Sequence, residues 1–181
     1  MNLACLSALR ALLLSMALWS GLVRAGGLPP DPTISFSELP LEIAVTQVHG
    51  SGRRVIAIFA DPNCSYCKEL DRELADMTDV TIHTFIYPIL SADSREKART
   101  IWCSADRAKA WTDWMTTDKP PRAPKCDAKA IDAVLALGRK LKVRATPTVF
   151  LADGERITGL PEKMDLEIAI SSPKVLSSQR K

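Results

Sequence analysis

The sequence predicts an α/β domain, a sheet of four or five strands with helices on both sides. Three observations lead there. β-Branched runs alternate along the chain with stretches whose apolar residues recur at helical spacing. One run, Val55–Phe59, is apolar at every position, as a central strand covered on both faces must be. Near the end, Asp153-Gly154 supplies a hairpin turn between two short strands. With 181 residues, 46% hydrophobic and 25% charged, the chain is neither disordered, collagen-like nor a multi-span membrane protein.

Residues 1–25 contain no Asp or Glu, carry Arg10 ahead of the apolar run Ala11–Trp19, and end in Val23-Arg24-Ala25 before Gly26. That is the layout of a secretory signal peptide cut after Ala25. The uncharged stretch Ala11–Val23 is 13 residues long, whereas a membrane-spanning helix needs about 20. Setting Arg10 and Arg24 aside, 22 basic and 21 acidic residues remain, a balance of +1. So neutral a chain lacks the clustered cations that a nucleic-acid partner calls for. Export also changes how the four cysteines outside the signal, Cys64, Cys67, Cys103 and Cys126, are understood, because disulfides persist outside the cytosol.

Residues 26–40, with Pro29, Pro30, Pro32 and Pro40, are expected to form an extended leader, and residues 41–172 the folded domain. Ala44–His49 alternates as a strand and Gly50-Ser-Gly52 as a turn. The central strand Val55–Phe59 ends at Asp61-Pro62-Asn63. A helix follows Cys64, with Leu70, Leu74 and Met77 inward and charged residues between them. Val80–Tyr87 is the next strand, on which His83 is expected to face solvent. Residues 93–116 suit two helices meeting near Cys103-Ser104, with Trp102, Trp111 and Trp114 as packing residues, and the prolines at 120, 121 and 124 mark a loop. Ala128–Leu141 is helical, with Gly138 a weak point, Thr148–Leu151 and Arg156–Thr158 are strands, and Glu162–Ile170 is the last helix. Residues 173–181 form a polar tail.

The chemistry concentrates at Cys64-Ser65-Tyr66-Cys67. Two thiols spaced this way at a helix start lie within disulfide reach, and the first, at the cap, has its thiolate favoured by the unpaired N–H groups and dipole of the helix. Thiol–disulfide exchange needs an attacking thiolate and a second thiol to resolve the mixed disulfide. Cys64, with an exposed sulfur, is the expected nucleophile and Cys67 the more buried resolving residue. A zinc half-site is a poor alternative: there is no second close cysteine pair, and His49 and His83 have no ligand spacing. No metal or other cofactor is expected. A purely structural disulfide would close so short a loop that it would restrain the unfolded chain little. Thr146-Pro147 precedes a strand, where a proline cannot donate to the ladder and a cis bond would make a tight approach.

Taken together, Phe59-Ala-Asp-Pro-Asn-Cys-Ser-Tyr-Cys-Lys-Glu-Leu70, Ile101-Trp-Cys-Ser-Ala-Asp-Arg-Ala-Lys-Ala110, Cys126, the Ala136-Leu-Gly138 helix and Ala145-Thr-Pro-Thr148 resemble the catalytic domain of the DsbC/DsbG family of periplasmic disulfide isomerases, from about residue 33 to about residue 170. The resemblance implies a thioredoxin fold with a helical insertion between the second and third core strands and a redox-active pair at Cys64 and Cys67. It also implies a second disulfide between Cys103 and Cys126, and a cis peptide before Pro147, with Thr146 and Pro147 holding substrate backbone. By the same resemblance the clients are exported proteins with thiols or disulfides, the location is the periplasm of a Gram-negative bacterium, and a membrane partner of the DsbD type supplies electrons. A dithiol oxidase, or a chaperone or binding module using the same groove, are the alternatives.

The sequence departs from that pattern in three places. The strand Val55–Phe59 has no acidic residue, so the buried carboxylate that accepts a proton in thioredoxins has no counterpart there, and the acceptor for Cys67 is open. Ser65 stands where such isomerases often have glycine. Only Gly26–Arg54, 29 residues, precede the central strand, which is too little for the family's N-terminal dimerisation domain. A monomer is therefore expected.

Overall fold

The computed structural model describes residues 32, 34–122 and 125–171. The signal-peptide and polar-tail expectations fall outside them. Five strands form one sheet in the order β1-β3-β2-β4-β5: β1 Val45–His49, β2 Arg54–Ala60, β3 Val80–Ile86, β4 Thr148–Leu151 and β5 Arg156–Thr158. β2 and β3 run parallel, with Ala60 opposite Ile86, and the other pairings are antiparallel. The parallel pair requires a crossover, supplied by α1, Ser65–Ala75. Helices α2 (Ala92–Trp102), α3 (Arg107–Thr117) and α4 (Lys129–Lys140) lie between β3 and β4, and α5 (Lys163–Ser171) follows β5.

The apolar run of β2 divides its residues between two cores because successive side chains on a strand point to opposite faces. Ile56, Ile58 and Ala60 pack with Leu70 and Leu74 of α1, Ile101 and Trp102 of α2, Trp111 and Met115 of α3, and Leu166 of α5. Ala57 and Phe59 pack on the other face with Val134 and Leu135 of α4 and with Phe85, Tyr87 and Phe150. Phe59 lies at the centre of this second core, with ring centroids 4.9 Å from Phe85 and 5.6 Å from both Tyr87 and Phe150. Each such fully buried side chain contributes about 1.5–3 kcal/mol of transfer free energy.

Three sequence expectations are corrected by packing. The second half of the expected leader belongs to the domain: residues Phe36–Glu38 form a 3-10 turn, Leu39 is buried, and Ile34 and Phe36 pack on the second core. Prolines prevent a long helix there, yet the apolar side chains between them still cover the sheet face that α4 leaves open. His83 is only partly exposed. Its Nδ1 lies 2.9 Å from Thr46 Oγ1 on β1, Phe36 approaches its ring, and burial holds its pKa below the ordinary value. Gly138 is a packing requirement rather than a weak point, because a Cβ there would sit 2.3 Å from the Tyr87 ring. The Tyr87 hydroxyl in turn donates to the Val143 carbonyl at 3.2 Å.

The helix ends that frame the site are capped. Ser91 Oγ accepts the Ser94 N–H at 3.0 Å at the start of α2, and Asp106 accepts the Lys109 N–H at 2.9 Å at the start of α3. A disulfide joins Cys103, at the C-terminal cap of α2, to Cys126, shortly before α4. It ties the two ends of the α3 excursion together.

Candidate active site

Where β2 leaves the sheet, the chain turns through Asp61-Pro62-Asn63 and delivers Cys64 as the N-cap of α1, in extended conformation at φ −78° and ψ 118°. Asp61 is fully buried and clamps this turn. One carboxylate oxygen accepts the Asn63 N–H at 2.8 Å, and the other accepts the N–H groups of Ile89 and Leu90 at 2.7 and 2.9 Å. The β2–α1 and β3–α2 loops are thereby held side by side. On the outer flank, Trp114 donates its indole N–H to the Pro62 carbonyl, and the ammonium groups of Lys68 and Lys97 lie 4.2 and 4.5 Å from its ring centroid.

The Cys64 sulfur accepts the Cys67 backbone N–H at 3.3 Å and, as a thiol, donates to the Thr146 carbonyl at 3.2 Å. The peptide between Thr146 and Pro147 is cis. Its loop is fixed on both sides: Thr148 Oγ1 donates to the Ala145 carbonyl at 2.8 Å, and the Gly159 N–H donates to the Pro147 carbonyl at 2.8 Å. Because this loop lies across the cap, Cys64 retains only 6% of its surface and Cys67 2%. The sulfur of Cys64 is therefore less open than a helix cap alone suggests. Both residues are free thiols here.

The two thiols have opposite electrostatics. Cys64 is lowered to about 6: a hydrogen bond from the Cys67 thiol is the largest cause, burial opposes it, and bonding with the Thr146 side chain and with the Cys67 and Tyr66 backbone adds to it. Cys67 is pushed up from the ordinary thiol range, first by burial and then by its bond to Cys64 and the charge there. At neutral pH the arrangement holds a thiolate at Cys64 and a proton on Cys67.

The structure thus brings Cys64, Cys67, Thr146 and Pro147 together, while Cys103 and Cys126 are joined elsewhere. Sequence reasoning passed over Asp61, which stands three positions before a cysteine N-cap in an Asp-Pro-Asn turn. It also passed over Ile89 and Leu90, which flank the site with Tyr66 as exposed apolar side chains. Their N–H groups reach the β2–α1 turn through the Asp61 carboxylate, and nothing local in the sequence marks them.

Residues 41–172 match the thioredoxin-like domain family. The chain is 52% identical over 135 residues to the probable thiol:disulfide interchange protein DsbC of Bordetella pertussis, covering 75% of this chain and 48% of that one. With the Escherichia coli thiol:disulfide interchange protein DsbC it shares 29% identity over 130 residues, 70% of this chain and 54% of the other. The chain spans about half the length of these curated relatives. Among solved structures, a disulfide interchange protein from Neisseria gonorrhoeae superposes with a TM-score of 0.70 at 38% identity, covering 73% of this chain and 96% of that one. The chain belongs to the thioredoxin-like domain family, and the relatives it is similar to are named thiol:disulfide interchange proteins. Its α/β architecture is the thioredoxin fold, with α2 and α3 as a helical insertion between β3 and β4.

Proposed function

We propose that the chain is a periplasmic thiol–disulfide oxidoreductase that reduces or isomerises disulfides in exported proteins. The observation that carries this reading is the polarised dithiol, with Cys64 near 6 and Cys67 held protonated beside it. The Cys64 thiolate attacks one sulfur of a client disulfide, forming a mixed disulfide and expelling the other sulfur as a thiolate. Cys67 then gives up its proton and attacks Cys64. That step forms the Cys64–Cys67 disulfide, releases the second client thiolate, and leaves the client reduced by two electrons. If a client thiolate attacks the mixed disulfide first, Cys64 is regenerated and the client is isomerised. Thr146 and Pro147 are assigned to hold the client backbone beside Cys64, and Tyr66, Ile89 and Leu90 to meet its apolar side chains. A membrane dithiol donor of the DsbD type would restore the reduced state. The same reading takes the chain to act as a monomer.

A dithiol oxidase is the second reading. The feature that favours it is the stabilised Cys64 thiolate, since stabilising the reduced form makes the disulfide more oxidising. Alkylation of freshly lysed cells followed by intact mass separates the two. A reduced Cys64–Cys67 pair is expected, and an oxidised pair would establish the oxidase instead. A protein inert to dithiol reagents would leave only a binding role for the groove. Light scattering at twice the chain mass would overturn the monomer.

A further inference from the structure

Resolution of the mixed disulfide requires Cys67 to lose a proton it is built to keep, and β2 offers no acid to take it. Asp61 is unsuited, because both of its oxygens already accept backbone N–H groups. Glu73 is six residues beyond Cys67, about 240° round the helix. Asp71 is different. It follows Cys67 by four residues on α1 and so lies one turn away on the same face. Cys67 and Asp71 also line one small enclosed cavity with Ile58, Ala60, Leu70, Leu74, Thr84 and Trp111. The volume open to a water centre there is about 10 Å³, close to the minimum for one water. The carboxylate is steered by Trp111, whose indole N–H donates to Asp71 Oδ1 at 2.9 Å.

Resting on the oxidoreductase reading above, we propose that the Asp71 carboxylate is the base that takes the proton from Cys67 as Cys67 attacks the Cys64–client disulfide. The proton passes directly, or through a single water in the shared cavity. The Cys67–Cys64 bond forms, the Cys64–client bond breaks, the client sulfur leaves as a thiolate, and Asp71 finishes as the neutral acid. It returns the proton to Cys67 when the pair is next reduced. Burial suits Asp71 to this by pushing its carboxyl up to about 6, with Trp111 bonding and the charges of His49 on β1 and Arg72 on α1 acting the other way. A base with a pKa close to the working pH is the most effective one.

The test uses the folded, reduced protein, a quenched-fluorescent disulfide peptide and stopped flow, which resolves attack by Cys64 from release by Cys67. Asp71→Asn preserves side-chain volume and an acceptor for Trp111. It is expected to leave the first phase unchanged and to slow the second by about 100-fold at pH 7. In the unsubstituted protein the second phase should rise with a midpoint near pH 6 that the variant lacks. An unaltered second phase in Asp71→Asn overturns the proposal, and so does equal slowing of both phases, which would make the carboxylate a support for the site's shape. Carboxyl NMR of the unsubstituted protein gives a check independent of the variant. An Asp71 titration that does not change when Cys67 is replaced by Ala also overturns it. Absence of a first phase in the unsubstituted protein would instead strike the oxidoreductase reading itself.

Discussion

The two cysteine pairs of this domain are made of the same atoms and stand in opposite settings. Cys64 and Cys67 sit within one turn of one helix, remain free thiols, and are surrounded by donors and buried walls that separate their proton affinities. Cys103 and Cys126 are 23 positions apart, are bonded to each other, and close a chain excursion that carries α3. A short loop gains little entropy from a disulfide and a long one gains more, so the second pair suits stability and the first suits exchange. Position relative to a helix start makes the same distinction: Cys64 is an N-cap, where the dipole favours a thiolate, whereas Cys103 is a C-cap, where it does not.

The sharpest way to break this contrast is to separate the roles within the exchanging pair. Cys67→Ala should trap covalent complexes with client proteins, and Cys64→Ala should abolish them, as read on non-reducing gels after acid quenching. Trapping by the Cys64 variant would reverse the assignment. The next largest effect is on the other pair: Cys103→Ala with Cys126→Ala should lower unfolding stability in urea by about 3 kcal/mol while leaving Cys64 reactivity in place. Loss of exchange in that double variant would erase the division of labour.

Asp61→Ala probes what the exchanging pair owes to its frame. It strips the acceptor from three backbone N–H groups, and a loss of about 2–3 kcal/mol is expected from the donors left buried. Slower attack by Cys64 should accompany it, measured with the same peptide disulfide.

The smallest and most diagnostic effect is one of pH. Cys64 alkylation by iodoacetamide should follow a midpoint near 6. Cys67→Ser keeps a donor to the Cys64 sulfur and should hold that midpoint, whereas Cys67→Ala removes the donor and should move it upward. Because the folded value lies below the ordinary 9.0, the thiolate's contribution to the stability of the reduced fold is complete above pH 9 and disappears as pH falls through 6. Equal midpoints in the Ser and Ala variants would show that the helix cap, not the partner thiol, sets Cys64 reactivity.

Much of this domain was legible because local chemistry and global fold agree. A strand apolar at every position can only be central, and Val55–Phe59 is; the amphipathic spacing of Leu70 and Leu74 places α1 directly after the cysteines. The Cys-x-x-Cys pair needed no tertiary information to be noticed, since both sulfurs lie within four residues. Where local signs misled, they did so because proline and glycine mark backbone freedom and say nothing of what packs nearby. Leu39 is buried despite its prolines, and Gly138 is required by Tyr87 from another element.

The sequence by itself therefore determined the order of elements, the central strand and the position of the dithiol at a helix start. Each of these depends on residues close together in the chain. Only the tertiary structure decided which distant groups stand against those sulfurs. The Thr146 carbonyl comes from 82 positions away, and the Asp61 clamp reaches 28 and 29 positions along the chain to Ile89 and Leu90. The cavity that Cys67 shares with Asp71 closes only when Thr84 and Trp111 arrive from β3 and α3. Desolvation and hydrogen bonding act over a few ångströms of space, and the separation of the two thiols' proton affinities is a property of that assembled space.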